Sequence, residues 1–509
     1  MSLSGRCRQS VEFRLLAGDD GSEEEDHDKI SDEEGKSRLS SRLQNNHNRD
    51  QDWFQNLLVF LLYGLVSGLA GGVFYAVGVF AADLKAIEGY SQTGINLVSA
   101  IAYAGGAMPL FVSPFIDDGT GDASNWVLSR FTWMALTCLL TAAGFGASAL
   151  CVVFHPTPLA LTTACFFLFG MGSSLNFCVS MPVAQLNMPD SYFPKFNGLV
   201  QVSWALSGLL SALGYRYLDI PPVTKLAGLL SLAAIGWLLA CAIVVAFMRR
   251  MRLVPKGAQA GLPFCRKIAK AARLWFDWRF VCQFSSSLLA FGAAVNLYNN
   301  AEAINLSLGG GQQLGESQVS AFFAAALTGR VLAALLSSTP LLELPGGLFG
   351  VSAFSCVALA AVHLGAYFYN SPTLMWYWLC CDGVAYGFLW TLMPLTTLHF
   401  KPVLVSFEAV YSFFNIASAV GPLVFDLISG SLYDSQVPDG SLYCMGDRCY
   451  HQYLLIAACT SFVSLILLIA AHFNPKARGC FQPKAPTLIP DPYTIFDDDE
   501  IDDDEDHYY

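Results

Sequence analysis

The chain has 509 residues, 54% of them hydrophobic and only 13% charged, a composition too apolar for an ordinary soluble domain. The formal charge of −12 belongs mostly to the ends: 13 of the 40 acidic residues precede Trp53 and 10 follow Asn474, leaving 17 in the body against 17 Lys and Arg. A neutral, apolar body between two acidic tails excludes a nucleic-acid-binding protein, whose phosphate contacts need clustered basic surface.

Residues 1–52 form the first acidic tail. Runs such as Glu23 to Asp28 repel themselves and carry too little apolar surface to fold. Leu15-Leu16 after Glu12 is an imperfect dileucine sorting pattern. No cleavable signal peptide is visible, because the first apolar segment follows a polar stretch of about 50 residues.

Twelve apolar segments follow, each long enough as a helix to cross a hydrocarbon core roughly 30 Å thick. Six lie in residues 53–248: Phe54 to Ala82, Gln92 to Ile116, Phe131 to Phe154, Leu159 to Val183, Phe196 to Tyr217 and Leu226 to Met248. Six more lie in residues 280–474: Phe280 to Leu306, Val319 to Ser338, Gly346 to Tyr369, Leu374 to Leu398, Phe407 to Leu432 and Gln452 to Phe473. The expected fold class is an all-α membrane protein with twelve transmembrane helices in two pseudo-symmetric six-helix bundles.

Short echoes support the duplication. Gly89-Tyr90-Ser91-Gln92 opens span 2 and Gly315-Glu316-Ser317-Gln318 opens span 8. Met181-Pro182 closes span 4 and Met393-Pro394 comes late in span 10; span 5 ends in Gly214 to Asp219 (GYRYLD) and span 11 in Gly430 to Asp434 (GSLYD). A six-helix unit used twice is the internal symmetry of many secondary transporters, with the substrate site between the repeats near mid-membrane.

The linker 249–279 carries nine basic residues: Arg249, Arg250, Arg252, Lys256, Arg266, Lys267, Lys270, Arg273 and Arg279. Basic residues stay on the cytoplasmic side of short loops, so both termini are expected inside the cell. Phe264, Ile268, Ala271 and Trp275 share one helical face beside that basic surface, the pattern of a helix lying on anionic headgroups over 264–275. Basic residues that merely obey the inside rule would give the same charge. Residues 475–509 form the second acidic tail, where Tyr493-Thr494-Ile495-Phe496 has the pattern of a signal read by sorting adaptors.

Within the spans, small and polar residues carry the information. Gly64, Gly68, Gly72 and Ala76 make a stripe that permits close helix approach in span 1, as Gly198, Ala205, Gly208 and Ala212 do in span 5. Gln201 is the polar member of the second stripe, facing a cavity or bonding between helices. Glu302, Arg330, Asp382 and Asp426 are ionisable groups at membrane depth, where each is costly and therefore informative. In span 7 Asn296 stacks with Asn300 and Asn299 with Glu302. Span 11 places Tyr411, Asn415, Ser418, Pro422 and Asp426 on one face, a lining for a path or a set of groups that satisfy one another. Arg330, toward the cytoplasmic end of span 8, is expected to anchor its helix or pair across the halves rather than bind substrate.

Cys444 and Cys449 share the last outer loop, where either a disulfide or two free thiols fit. No phosphate-binding G-x-x-x-x-G-K-[ST] loop, G-x-S-x-G elbow or H-E-x-x-H pair is present. An ATP-driven pump and a soluble enzyme are therefore disfavoured, and no cofactor or bound metal is expected.

Several segments resemble the major facilitator superfamily, and within it the nodulin-like group. They are GYSQTGINLVSAIAYAGG (Gly89 to Gly106), the segment from Phe280 to Gly309 with its Asn299-Asn300 pair, LTGRVLAALLSS (Leu327 to Ser338), GVAYGFLWTLMP (Gly383 to Pro394), Asn415 to Gly421 with Gly430 to Asp434, and the cysteine-bearing Cys444 to Tyr450. The loop after span 2 keeps Asp117 but has no Arg before Arg130, and the loop after span 8 offers Ser337-Ser338 without an acid, so the family's gating network is incomplete; Lys195 stands where an Arg is usual.

The resemblance implies two bundles rocking about a central site. It implies substrate contacts at Asn176 and Gln201 from the first half and at Asn296, Asn300, Tyr386 and Asn415 from the second. Gating falls to Asp117 and Arg330, and a coupling proton to Asp382 or Glu302. A monocarboxylate or amino-acid-like solute ranks first, although Arg216 and Arg330 lie toward opposite faces. Export of a transition metal such as iron ranks second, with Cys380, Cys381, Asp382 and His363 as ligands. A non-transporting sensor built on the same fold is the third reading. A monomer in the plasma, endosomal or lysosomal membrane is expected.

Overall fold

The computed structural model describes residues 61–73, 77–112, 116–117, 128–187, 193–247, 272–337, 339, 347–400, 407–438, 441 and 443–472. All belong to one compact unit spanning residues 56–509. Both acidic tails, their sorting patterns and most of the basic linker, including Phe264, Ile268 and Ala271, lie outside the described residues.

The described chain is almost wholly helical. Span 1 is recorded as α1 (Leu61–Gly71) and the first turns of α2 (Val77–Glu88), whose last residues, Lys85 among them, run beyond the span. There follow α3 (Gln92–Ala104, continued by the turns Gly105–Ala107 and Pro109–Val112), α4 (Arg130–Val153), α5 (Leu159–Asn187), α6 (Phe193–Tyr217) and α7 (Pro222–Phe247). The second half has α8 (Trp278–Asn299), α9 (Ala301–Ser307), α10 (Gln312–Ser337), α11 (Gly347–Phe368), α12 (Pro372–Phe400), α13 (Phe407–Asp434) and α14 (Arg448–His472). Two short parallel strands, β1 (Ile116–Asp117) and β2 (Leu128–Ser129), pair in the connection between α3 and α4.

Ten of these helices are long and apolar enough to cross a bilayer. The tenth expected span is the 29-residue α12, outside those ten. In lipid a helix satisfies its backbone internally, so apolar composition alone fixes these elements. Burial is the reverse of a soluble protein's: Leu232 is 69% exposed and Ile466 61% exposed, whereas Asn296, Asn300, Asp382 and Asp426 are fully buried. Acyl chains would cover the first set.

Helix pairing reflects the duplication. Within the halves α4 packs on α5 and α7, as α11 packs on α12 and α14. Between the halves α3 packs on α13 and α6 on α10. In span numbers these pairs are 2 with 11 and 5 with 8. Moving span 2 onto 8 and span 5 onto 11 exchanges the two pairs, as a two-fold relation requires.

The small-residue stripe of span 1 makes a close contact with α6. A Cβ at Gly68 would fall 1.8 Å from Ser203 Oγ, and one at Gly72 would fall 2.3 Å from the Trp204 carbonyl. Only glycine lets these backbones approach so closely.

Candidate functional site: a polar cavity between the halves

A cavity of about 40 Å³ opens between α3, α5 and α6 of the first half and α12 and α13 of the second. Its walls include Tyr103, Ser173, Gln201 and Trp204 on one side and Trp390, Asn415 and Ser418 on the other. No acid or base is part of the lining. The space holds about three waters, so an organic solute enters only when the helices part.

Gln201 and Asn415, both expected as substrate contacts, line this cavity. Asn415 Nδ2 reaches Cys178 Sγ of the opposite half at 3.2 Å. Gln201 accepts from Arg330 Nη1 twice, through its carbonyl at 2.7 Å and its Oε1 at 3.2 Å. Arg330 is 1% exposed and its guanidinium stands 6.0 Å from the Tyr386 ring. The sequence places Arg330 toward a membrane face; its long side chain instead brings the positive charge directly behind the cavity wall, pairing across the halves. Tyr386 is buried against Phe322 and Trp390 and reaches the cavity through Trp390.

The other expected contacts are engaged elsewhere. Asn176 Oδ1 accepts from Tyr63 at 2.5 Å and its Nδ2 donates to Thr137 at 3.0 Å, which ties α5 to α1 and α4 inside the first half. Asn300 Oδ1 accepts from Gln92 and from Tyr450, each at 3.1 Å, and Asn296 Nδ2 donates to Asp426 and Ser429. Asn296 and Asn300 belong to a hydrogen-bonded network separate from that of Asn176, and none of the three lines the cavity. Asp382 is fully buried and neither carboxyl oxygen has a hydrogen-bond partner. Glu302 packs against Gly315, where a Cβ would lie 3.0 Å from its Cγ. Asp117 forms part of β1.

A clasp closes one end of the seam. Asp434, the last residue of α13, accepts from the backbone amides of Gln92 (3.0 Å) and Thr93 (2.9 Å) and from Thr93 Oγ1 (2.6 Å). A carboxylate from one half thus accepts from the first amides of α3 in the other, beside that helix's own N-cap Ser91, whose Oγ accepts from Gly94 N, and its charge is favourable against the helix dipole. Gly430 permits it: a Cβ there would lie 2.8 Å from Thr93 Cα. Beside the clasp Lys85 donates to Gln92 Oε1 at 3.1 Å and lies over the rings of Tyr433 and Tyr443. Burial pushes its amine down to about 8, and the nearby Asp434 only partly opposes that shift. Sequence reasoning noted the GYSQ and GSLYD echoes as repeat markers and missed that they meet.

Cys444 and Cys449 are joined by a disulfide. Among the described residues no three His, Cys, Asp or Glu side chains converge as metal ligands. His363 lies with Nδ1 2.7 Å from the Leu359 carbonyl and Nε2 3.3 Å from the Ala293 carbonyl, and Cys381 is exposed while Asp382 is buried, so the four residues suggested for a metal are not gathered.

A family model of the Major Facilitator Superfamily matches residues 20–212. No curated protein matches the sequence. Among solved structures the chain is similar to the nucleoside transporter NupG, with 14% identity and a TM-score of 0.59 over 82% of this chain and 99% of that one. It is also similar to the xylose transporter XylE from E. coli in a partially occluded inward-open conformation, with 13% identity and a TM-score of 0.57 over 82% and 98%. A second structure of XylE, described as a proton:xylose symporter, gives 14% identity and 0.56 over 82% and 94%. At such identities the likeness is one of fold. With the matched family model and ten helices fit for a bilayer, it makes this chain a multi-pass membrane protein with the major facilitator fold.

Proposed function

We propose that the protein is a secondary active or facilitative transporter that moves a small organic solute across its membrane by alternating access. The observation that carries this reading is the cavity between the halves, walled by both and clasped at one end by Asp434 on α3. Cargo held at such a seam changes sides when the contacts at its two ends open in turn. Solved structures of this fold that are named for a nucleoside and for xylose are compatible with a small polar cargo.

The wall offers hydroxyls, amides and aromatic faces, which suit a compact polar molecule. A monocarboxylate or amino-acid-like solute would meet positive charge through Gln201 and the Arg330 behind it. The absence of a converging ligand set among the described residues ranks a metal cargo below an organic one. Asp382 and Glu302 are buried acids available to a coupling proton.

The motifs quoted above support placement in the nodulin-like group, with halves at 53–248 and 280–474. A disulfide forms where the medium is oxidising. Its place beside the Asp434 clasp supports an outward-facing clasp and both termini in the cytoplasm. Counterflow of a labelled solute panel in proteoliposomes tests the function. One organic solute should exchange, and exchange should fall at least about tenfold when Gln201→Ala removes a wall contact worth ~1.4 kcal/mol. A cargo that binds saturably but never exchanges would favour the sensor.

A further inference from the structure

Asp426 presents a charge that its surroundings do not balance. It is fully buried on α13, and its carboxylate receives Asn296 Nδ2 on Oδ1 and Asn299 Nδ2 on Oδ2, the latter at 3.0 Å. No Lys, Arg or His among the described residues pairs with it. The groups around it from α3, α8 and its own helix are the neutral side chains of Asn96, Asn296, Asn299 and Ser429, and the titratable groups that feel its charge from α14 are Tyr450 and Tyr453. A carboxylate so buried must be neutralised by a proton or by a bound cation.

Two observations favour the cation. Asn296 Oδ1 and Asn299 Oδ1 are both buried without a hydrogen-bond partner. Turning each amide end for end brings these oxygens beside the carboxylate, an arrangement that only a positive ion makes favourable for both; a proton on Asp426 could serve one of them. Further, the helix is interrupted at Asn300, between the end of α8 at Asn299 and the start of α9 at Ala301, and discontinuous membrane helices are where coupling ions are held in many transporters.

We propose that Asp426, Asn296, Asn299 and Ser429 form a binding centre for a monovalent cation of sodium size between spans 7 and 11. An all-oxygen set with one carboxylate suits a hard alkali ion, whereas a divalent ion would leave excess positive charge in an apolar bundle. Asn96 of the opposite half donates to the Asp426 carbonyl at 2.9 Å and to Ser429 Oγ at 3.1 Å. Occupancy therefore bears on the contact between α3 and α13, and a role as coupling ion rests on the transporter reading, whereas the binding itself does not.

The test uses the full chain in nanodiscs, with sodium chloride titrated against choline chloride at constant ionic strength. The readouts are thermal unfolding and binding of radiolabelled sodium. Wild type should show a saturable rise in Tm and saturable binding, and Asp426→Asn should show neither. Asn299→Ala, which keeps the carboxylate, should weaken apparent sodium affinity about tenfold or more, and it carries the test should the first variant fail to fold. A Tm that follows pH but ignores sodium assigns the charge to a proton and overturns the proposal. So does a sodium response unchanged in both variants. Neither result touches counterflow, by which the transport reading stands or falls separately.

Discussion

Asp434 supplements Ser91, the N-cap of α3, by accepting from two further amides of that helix although it belongs to the other half of the molecule. Asp434→Ala leaves two backbone amides without acceptors at a helix start, a loss of ~1–2 kcal/mol. Hydrogen exchange at Gln92 and Thr93 should then quicken by roughly tenfold; unchanged protection would show that the clasp is not set by this carboxylate. Lys85, beyond the end of span 1, gives the same contact a pH dependence. Its folded-state pKa, about 8, lies below the ordinary 10.5, so the closed state binds the proton less tightly than a state with Lys85 in water. Stability of the closed state is therefore lowest and flat below about pH 8 and rises between about 8 and 10.5. Unfolding followed across that window should show the rise in wild type and a flatter profile in Lys85→Met.

Helices in this molecule meet through what they lack. Gly72 on span 1 leaves room for the Trp204 carbonyl, whereas Gly228 on α7 has nothing within 4 Å of where a Cβ would stand. Valine at these two positions makes a controlled comparison, since the residue added is the same. Gly72→Val should destabilise by ~1–3 kcal/mol through overpacking and lower Tm, and Gly228→Val should stay close to wild type. Equal losses at both would mean that backbone propensity, not helix approach, explains the stripe. Pro394 and Pro422 interrupt the hydrogen-bond ladders of α12 and α13, and both helices contribute to the cavity wall, so local backbone irregularity falls where the halves face one another.

At the scale of the whole molecule, alternation requires the α3–α13 contact to break. Thr93 Oγ1 and Asp434 Oδ2 stand 2.6 Å apart across it, so cysteines at both positions are within reach of a short, cleavable bifunctional thiol reagent. Bridging Thr93→Cys/Asp434→Cys protein with that reagent should stop counterflow, and cleaving the bridge should restore it. Full exchange with the cross-link in place would rule out opening at the Asp434 end. The same result would leave the sodium centre untouched, because that centre is read by binding.

The amino-acid sequence by itself determined the spans and their pairing into a repeat. Bilayer thickness demands a fixed run of apolar residues, and lipid leaves the backbone no alternative to a helix. It also marked Asn296, Asn299 and Asp426 as polar groups at membrane depth, and Gln201 as the polar member of a packing face. What only the tertiary structure decided is who meets whom. Asn176 and Asn415 look alike as lone amides in apolar helices, yet one is spent on Tyr63 and Thr137 and the other faces the cavity. Arg330 seemed peripheral by its depth along span 8, and the reach of its side chain makes it a neighbour of the cavity. Helical periodicity gives the face a residue occupies but not how that helix is rotated against partners more than a hundred residues away, and that rotation is set by the packing of all the spans together.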